Sequence, residues 1–368
     1  MNIKSHKKTR KIFKKKKNVT YMNIKSHKKT RKIFKKKKNV TFKFHDDVDE
    51  LTIKSCFKKN CNTIKINKPN LMTDKVLIDN IYNFNIRKTI FDNVSAILDN
   101  NKYPNIFGSN IDTILLCNAL KNNYNLFKNI TNFLELGIGG GFISKYISSK
   151  FKIKEAILID IEPECINYAI KDLKLPKLKN QKKKIYYKYE PFKCKIVNQD
   201  GYIFMQGDGL KIINYYFKKN NNLILNNNLD LIVCNPPYIP SSSTENDLDI
   251  NSPNFWEGTR LLRYLILHFD KFSNNCVCII SSLSLVNKYV IDALKYRKFK
   301  VLDSHLVPIK VFNKDGNILD NPKILNLLIS KTKTVNINKV KFDIGAIKGS
   351  KKDLYPYYHK VNILYFYI

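Results

Sequence analysis

The 368-residue chain lacks any run of about 18 apolar residues, so its sequence predicts no membrane-spanning helix. Its first residues carry charge without the apolar core of a secretory signal, and no such signal is expected. The eight cysteines include no Cys-x-x-Cys pair, and Cys56 and Cys61 have no His or Cys cluster to complete a zinc site. No metal is therefore expected. Several cysteines, among them Cys234, Cys276 and Cys278, lie in apolar runs, where reduced cysteine packs as a small hydrophobe. This points to a reducing intracellular compartment, cytoplasmic or, given the basic start of the chain, nuclear. Acidic residues are missing altogether from residues 1–43, which hold 19 of the 66 Lys and Arg.

That arm supplies about half of the formal net charge of +36. It reads as a disordered, solvated tail that seeks polyanions. Residues 1–20 recur unchanged from Met22 to Thr41. Two short polar copies cannot build a solenoid, so the repeat reads as a duplication, with Met22 as an alternative start, or as a doubled basic element for RNA binding or nuclear import. Hydrophobic residues make up 43% of the chain, enough to bury a core and too many for a disordered protein.

Four regions follow. The arm spans 1–43, and 44–128 reads as mainly helical, with its clearest helix at Ile111–Leu120. Residues 129–330 alternate strands and helices, and 331–368 reads as a β extension. In the third region Ile130–Leu136, Ala156–Ile159, Tyr202–Gln206, Leu229–Cys234 and Cys276–Leu285 read as strands, with helices after most of them. Pro163 suits a first helical turn. Residues 171–200 form a basic insertion. Lys300–Leu302, Lys323–Ser330, Val340–Ile344 and Val361–Ile368 are further strand candidates. Alternating strands and helices predict an α/β fold with a doubly wound parallel sheet, whose ligands bind at the carboxyl ends of the strands.

The chemistry-bearing residues fall at those ends. Glu135-Leu136-Gly137-Ile138-Gly139-Gly140-Gly141 follows a strand and opens a helix, and glycines let the backbone approach a ligand closely. Asp160 ends the next strand, where a carboxylate can accept both hydroxyls of a ribose. Asp208 ends the third, placed to accept an adenine amine or simply to cap a helix. Together they predict an adenosine site.

The fourth strand runs into Asn235-Pro236-Pro237-Tyr238. Two prolines fix the turn and donate no backbone bond. The Asn235 side-chain oxygen and the Pro236 carbonyl can each accept one N–H of a planar amide or amine, and Pro237 and Tyr238 can pack on its flat face. Such a site works by orientation and by acceptors aimed at developing positive charge. Hydride transfer has no use for it, which disfavours a nicotinamide cofactor.

These motifs, in this order, resemble class I S-adenosylmethionine-dependent methyltransferases of the Asn-Pro-Pro-Tyr type. Asn235–Pro240, with Asp112-Thr113-x-Leu115-Leu116 upstream, is similar to the HemK-like glutamine methyltransferases over roughly residues 104–330. The resemblance implies a Rossmann-like, seven-stranded sheet. It implies S-adenosylmethionine held by Glu135, Gly137, Gly139, Gly141, Phe142, Asp160, Asp208 and Asn235, with the Phe142 ring near the sulfonium. Asn235, Pro236 and Tyr238 would carry catalysis, and Pro237 and Tyr238 would hold the target. The chain departs from that family where Phe107-Gly108-Ser109-Asn110 replaces a Pro-Arg-Pro element and Trp256-Glu257-Gly258-Thr259-Arg260 replaces a Gly-rich stretch. The loop Ser241–Asn254, with Trp256 and Arg260 beyond it, is placed to cover the target.

The implied target is a protein glutamine, as in a translation release factor. The basic arm keeps a second target open, adenine N6 or guanine N2 in RNA or, at greater remove, DNA, reached by flipping the base. A non-catalytic RNA-binding protein on the same fold is the reading from another class. A monomer is expected in each case.

Overall fold

The structure is a computed structural model. It describes residues 41–42, 51–57, 60–66, 86–109, 111–178, 186–189, 194–218, 229–238, 257–309, 322–349 and 357–368. The basic arm up to residue 40, the loop Ser241–Asn254, Trp256 and parts of the 171–200 insertion lie outside the described residues.

Where the expected mainly helical segment 44–128 is described, strands stand beside its helices. Strands β1 (Thr41–Phe42), β2 (Leu51–Phe57), β3 (Asn60–Ile66), β4 (Ile86–Phe91) and β5 (Val94–Asp99) form one sheet, in the order β1-β3-β2-β4-β5. The cause is local. Asp92 and Asn93 have positive φ, 48° and 62°, the geometry of a two-residue hairpin turn. Beyond it Val94, Ala96 and Leu98 are buried while Ser95, Ile97 and Asp99 are more open, a two-residue period foreign to a helix. Within this segment the described helices are α1 (Ile111–Asn122) and α2 (Tyr124–Phe127). Every residue of α1 from Ile111 to Leu120 is buried, so α1 is a core helix with no polar face over that span.

The alternating region continues as β6 (Asn132–Leu136), α3 (Phe142–Lys150), β7 (Glu155–Asp160), α4 (Pro163–Lys171), β8 (Tyr186–Tyr189), β9 (Cys194–Gln199), β10 (Tyr202–Gln206), α5 (Gly209–Lys218), β11 (Leu231–Cys234), α6 (Glu257–His268), β12 (Asn275–Ser281), α7 (Lys288–Lys295), β13 (Phe299–Pro308), α8 (Pro322–Ser330), β14 (Lys333–Ile337), β15 (Val340–Ile344), β16 (Ile347–Lys348) and β17 (Tyr357–Tyr367). The main sheet has the order β13-β17-β12-β11-β6-β7-β10-β9-β8, with β16 paired to β17. Its centre, from β10 to β12, is parallel. Central strands are apolar on both faces because both faces are covered. Phe133, Ala156, Leu158 and Val233 pack in one cluster with residues of α1, α3 and α4. Leu134, Ile157, Ile159 and Ile232 pack in the other with residues of α5, α6 and α7. Each fully buried side chain of this size contributes about 1.5–3 kcal/mol, so burial far outweighs helix propensity in holding the layers.

Three expectations change here. The insertion at 171–200 extends the sheet: β9 runs antiparallel to β10, and β8 to β9. Lys323–Ser330 is helical, not a strand, as α8. A short apolar run is ambiguous by periodicity, and Pro322 at the first turn suits a helix. The stretch 331–368 is no appendage, because β17 lies between β12 and β13, antiparallel to both, and completes seven core strands. Val361 and Ile363 pack into one core cluster and Leu364 and Phe366 into the other, all four inaccessible, as a central strand requires.

Candidate functional site

Strand register sets the site. Leu136 lies opposite both Ile159 and Cys234, and Cys234 lies opposite Cys278. Gly137, Asp160 and Asn235 therefore leave the sheet along one edge. Asp230 fixes this register from the other end of β11. Its Oδ2 accepts Thr131 N–H at 2.6 Å, Asn132 N–H at 2.9 Å and the Thr131 hydroxyl at 2.9 Å.

The glycine turn is a cradle. Gly137 has φ 73°, and a Cβ built there meets nothing within 4 Å, so the space above it is open. Gly139 has φ 47°, and its Cβ would stand 2.9 Å from the Phe107 carbonyl oxygen, so only glycine fits without a backbone shift. That carbonyl accepts the Gly140 N–H at 2.9 Å, and Gly141 N–H closes the turn on Ile138 O at 2.7 Å before α3 begins. Phe107-Gly108-Ser109, where the sequence departs from the family pattern, thus rests on the cradle.

Asp160 serves both the turn and the space above it. Its Oδ2 accepts Gly139 N–H and its Oδ1 accepts Glu162 N–H, each at 2.9 Å. A carboxylate offers about four lone-pair positions, and the Cys165 thiol takes a third, leaving one for a ribose hydroxyl. Burial raises the Asp160 pKa, opposed by the bonds from Glu162, Gly139 and the Cys165 thiol. Asp208 Oδ1 accepts the N–H of Leu210 at 2.9 Å and of Lys211 at 3.2 Å, so it caps α5. Two exposed apolar side chains border these groups and were not singled out from sequence: Ile161, 68% exposed directly after Asp160, and Phe107, 64% exposed. The available signal was an apolar residue abutting a strand-end carboxylate or the Gly108 turn.

Two expected cofactor residues lie in the core. The Phe142 ring is 1% exposed and belongs to the core packed by α1 and α3, so it is not presented to a ligand. Glu135 is also 1% exposed, and its carboxylate accepts the Ser144 hydroxyl, tying β6 to the first turn of α3. Burial pushes the Glu135 carboxyl up to about 8. Because the folded value lies above the unfolded one near 4.5, its stabilisation is complete below that value and is lost as the pH rises through about 8, at roughly 1.4 kcal/mol per unit in between. Thermal melts of Glu135→Gln, which cannot ionise, are expected to fall less steeply with pH than wild type. Parallel curves would remove Glu135 as a source of that dependence.

The other half of the site gathers three elements. Asn235 Oδ1 is buried with no hydrogen-bond partner. Pro236 is buried, Pro237 exposed and Tyr238 half-buried. The Tyr238 hydroxyl donates to Asp112 Oδ2 at the start of α1. Asp112 is 3% exposed, its Oδ1 is buried without a partner, and burial pushes its carboxyl up to about 7. Across the Tyr238 ring lies His359 of β17, with ring centroids 5.2 Å apart and planes at 37°. An amide oxygen left unpaired in a buried position costs about 1–3 kcal/mol. Among the described residues no group of His, Cys, Asp and Glu is placed to hold a metal, and no helix is long and apolar enough to cross a membrane.

No protein-family model matches the chain, and no curated protein matches it in sequence. Solved structures do match at low identity. A candidate SAM-dependent methyltransferase from Streptococcus mutans aligns at 12% identity and TM-score 0.39, over 76% of this chain and 55% of that one, so the chain spans about half of it. A precorrin-6y C5,15-methyltransferase from Geobacter metallireducens aligns at 8% identity and TM-score 0.34, over 73% and 97%. Human methyltransferase-like protein 13, solved with SAH, aligns at 17% identity and TM-score 0.31, over 58% and 85%.

Proposed function

We propose that the chain is an S-adenosylmethionine-dependent N-methyltransferase acting on a planar amide or amino nitrogen, with a protein glutamine as its target. The observation that carries this reading is the buried, partnerless Asn235 Oδ1 at the carboxyl end of β11. An acceptor held unpaired where ligands of such sheets bind is preorganised for a donor that arrives with the substrate.

The residues present fit the cofactor. The open space above Gly137 admits its backbone-hugging portion, and the remaining lone-pair position of Asp160 suits a ribose hydroxyl. S-adenosylmethionine supplies an electrophilic methyl group on a sulfonium. The chain does the rest by orientation. Asn235 Oδ1 and the Pro236 carbonyl accept the two N–H groups of the target, turning its lone pair toward the methyl donor, and Tyr238 and Pro237 give its flat face a wall. The nitrogen becomes cationic on methylation and loses a proton readily to water, so no strong base is required.

A base amine in RNA is the second reading, favoured by the formal net charge of +36 and the basic arm. Incubation with labelled cofactor beside either a release factor or whole-cell RNA separates the two. Label is expected in the protein; label in RNA alone would replace the first reading with the second. Failure of the chain to bind S-adenosylmethionine in calorimetry would sink both and leave the non-catalytic RNA-binding reading. Deleting residues 1–42 is expected to leave cofactor affinity unchanged while lowering RNA affinity and its salt dependence. RNA affinity surviving at full strength would make the arm irrelevant to it.

A further inference from the structure

The Tyr238 side chain is held at more than one point. Its hydroxyl donates to Asp112 on α1, and its ring faces the imidazole of His359 on β17. His359 is itself fixed. It is 5% exposed, and its Nδ1 lies 2.9 Å from the hydroxyl of Ser281, the last residue of β12. Ser281 Oγ already accepts the Leu283 N–H at 3.1 Å. The hydroxyl keeps its proton and a second acceptor position for the bridge to Nδ1, so Ser281 fixes the ring in either neutral tautomer. Ser281 pairs in register with Val361, two residues beyond His359. The imidazole therefore sits at the carboxyl edge of the parallel strands, beside the target half of the site.

We propose that His359, oriented by Ser281, is a positioning residue for the target slot: a neutral imidazole that braces the Tyr238 ring so that the slot keeps one fixed flat wall. This rests on the reading that Asn235–Tyr238 receives a planar nitrogen. The brace works by ring-on-ring contact, which contributes about 0.5–1.5 kcal/mol beyond area burial, and by freezing a side chain that would otherwise lose rotamer freedom only when substrate binds. Burial drives the His359 pKa down to about 3, so the imidazole carries no charge that would repel a nitrogen becoming cationic.

Two measurements on the full chain test it. In ¹⁵N-histidine NMR one signal, absent from His359→Gln, is expected to stay neutral from about pH 5 to 8, where an ordinary histidine titrates. That signal is expected to shift in Tyr238→Leu. Titration in this range, or no shift in Tyr238→Leu, would overturn the brace. The second measurement is initial rates of labelled methyl transfer into whole-cell extract. His359→Gln, which keeps a polar group but loses the ring, is expected to raise the apparent KM for extract about tenfold with kcat and cofactor affinity little changed. His359→Phe, which keeps a ring, is expected to retain the wild-type KM. Equal KM values for wild type and both variants would also overturn it, as would KM values raised equally in both variants. Absence of transfer by wild type would overturn the methyltransferase reading instead, and the NMR measurement would still decide the brace.

Discussion

Replacing Asn235 with alanine is expected to lower turnover by about 10²–10³-fold while the folded chain stays as stable as before or gains slightly. The two halves of that expectation have one cause. Asn235 Oδ1 is buried and unpaired, so the resting protein bears the desolvation cost of an amide acceptor without a bond in return. Alanine removes that cost, along with an amide that the resting fold does not use at its oxygen. It also removes an acceptor that matters only when a donor occupies the site and positive charge develops on it, and losses of preorganised polar groups of this kind run to about 10²–10³ in rate. Cofactor affinity should change little, because the cradle at Gly137 and Gly139 and the Asp160 carboxylate are untouched. Calorimetry for the cofactor, thermal melts and initial rates measure the three quantities separately. A variant with wild-type turnover would refute the assigned role. A variant that also lost several degrees of melting temperature would mean that the amide belongs to the fold rather than to the chemistry.

How far the sequence announced this site depends on how far apart its parts are along the chain. Gly137–Gly141, Asp160 and Asn235–Tyr238 were legible because each is a local event, a strand ending in residues whose backbone or side chain suits a ligand, and a parallel sheet collects such ends on one edge. The other side of the target slot was not legible as geometry. Asp112 precedes Tyr238 by 126 residues, and His359 follows Ser281 by 78. No periodicity links residues that meet because α1 packs on the sheet and β17 inserts between β12 and β13. Phe142 marks the limit of such local reading. Its place after the glycine turn suggested a ring beside a ligand, but the first residue of α3 turns inward because α1 packs there and leaves it 1% exposed. The N-terminal sheet was missed because the Asp92-Asn93 turn lacks the glycine that most often marks a two-residue hairpin, so its positive φ angles carried no obvious signature.

Asp160→Ala is expected to weaken binding of S-adenosylmethionine by about 100-fold and also to lower stability, the reverse of the pattern at Asn235. In the resting protein both carboxylate oxygens are already bonded, Oδ2 to Gly139 N–H and Oδ1 to Glu162 N–H. Alanine leaves two backbone donors near the strand end to find water or go unpaired, at about 1–3 kcal/mol each where they stay buried. It also loosens the cradle, since the Gly139 N–H bond helps to hold a residue in the left-handed region at φ 47°. The ligand then loses a charged acceptor for a ribose hydroxyl, and a single bond to a charged group contributes about 1.5–3 kcal/mol, which reaches the 100-fold range. Asp160→Asn separates the contributions. It keeps one oxygen acceptor and the side-chain volume, so stability should recover further than affinity. Unaltered cofactor affinity in Asp160→Ala would end the ribose assignment, and affinity that recovered fully in Asp160→Asn would show that Asp160 acts by shaping the Gly139 turn rather than by its charge.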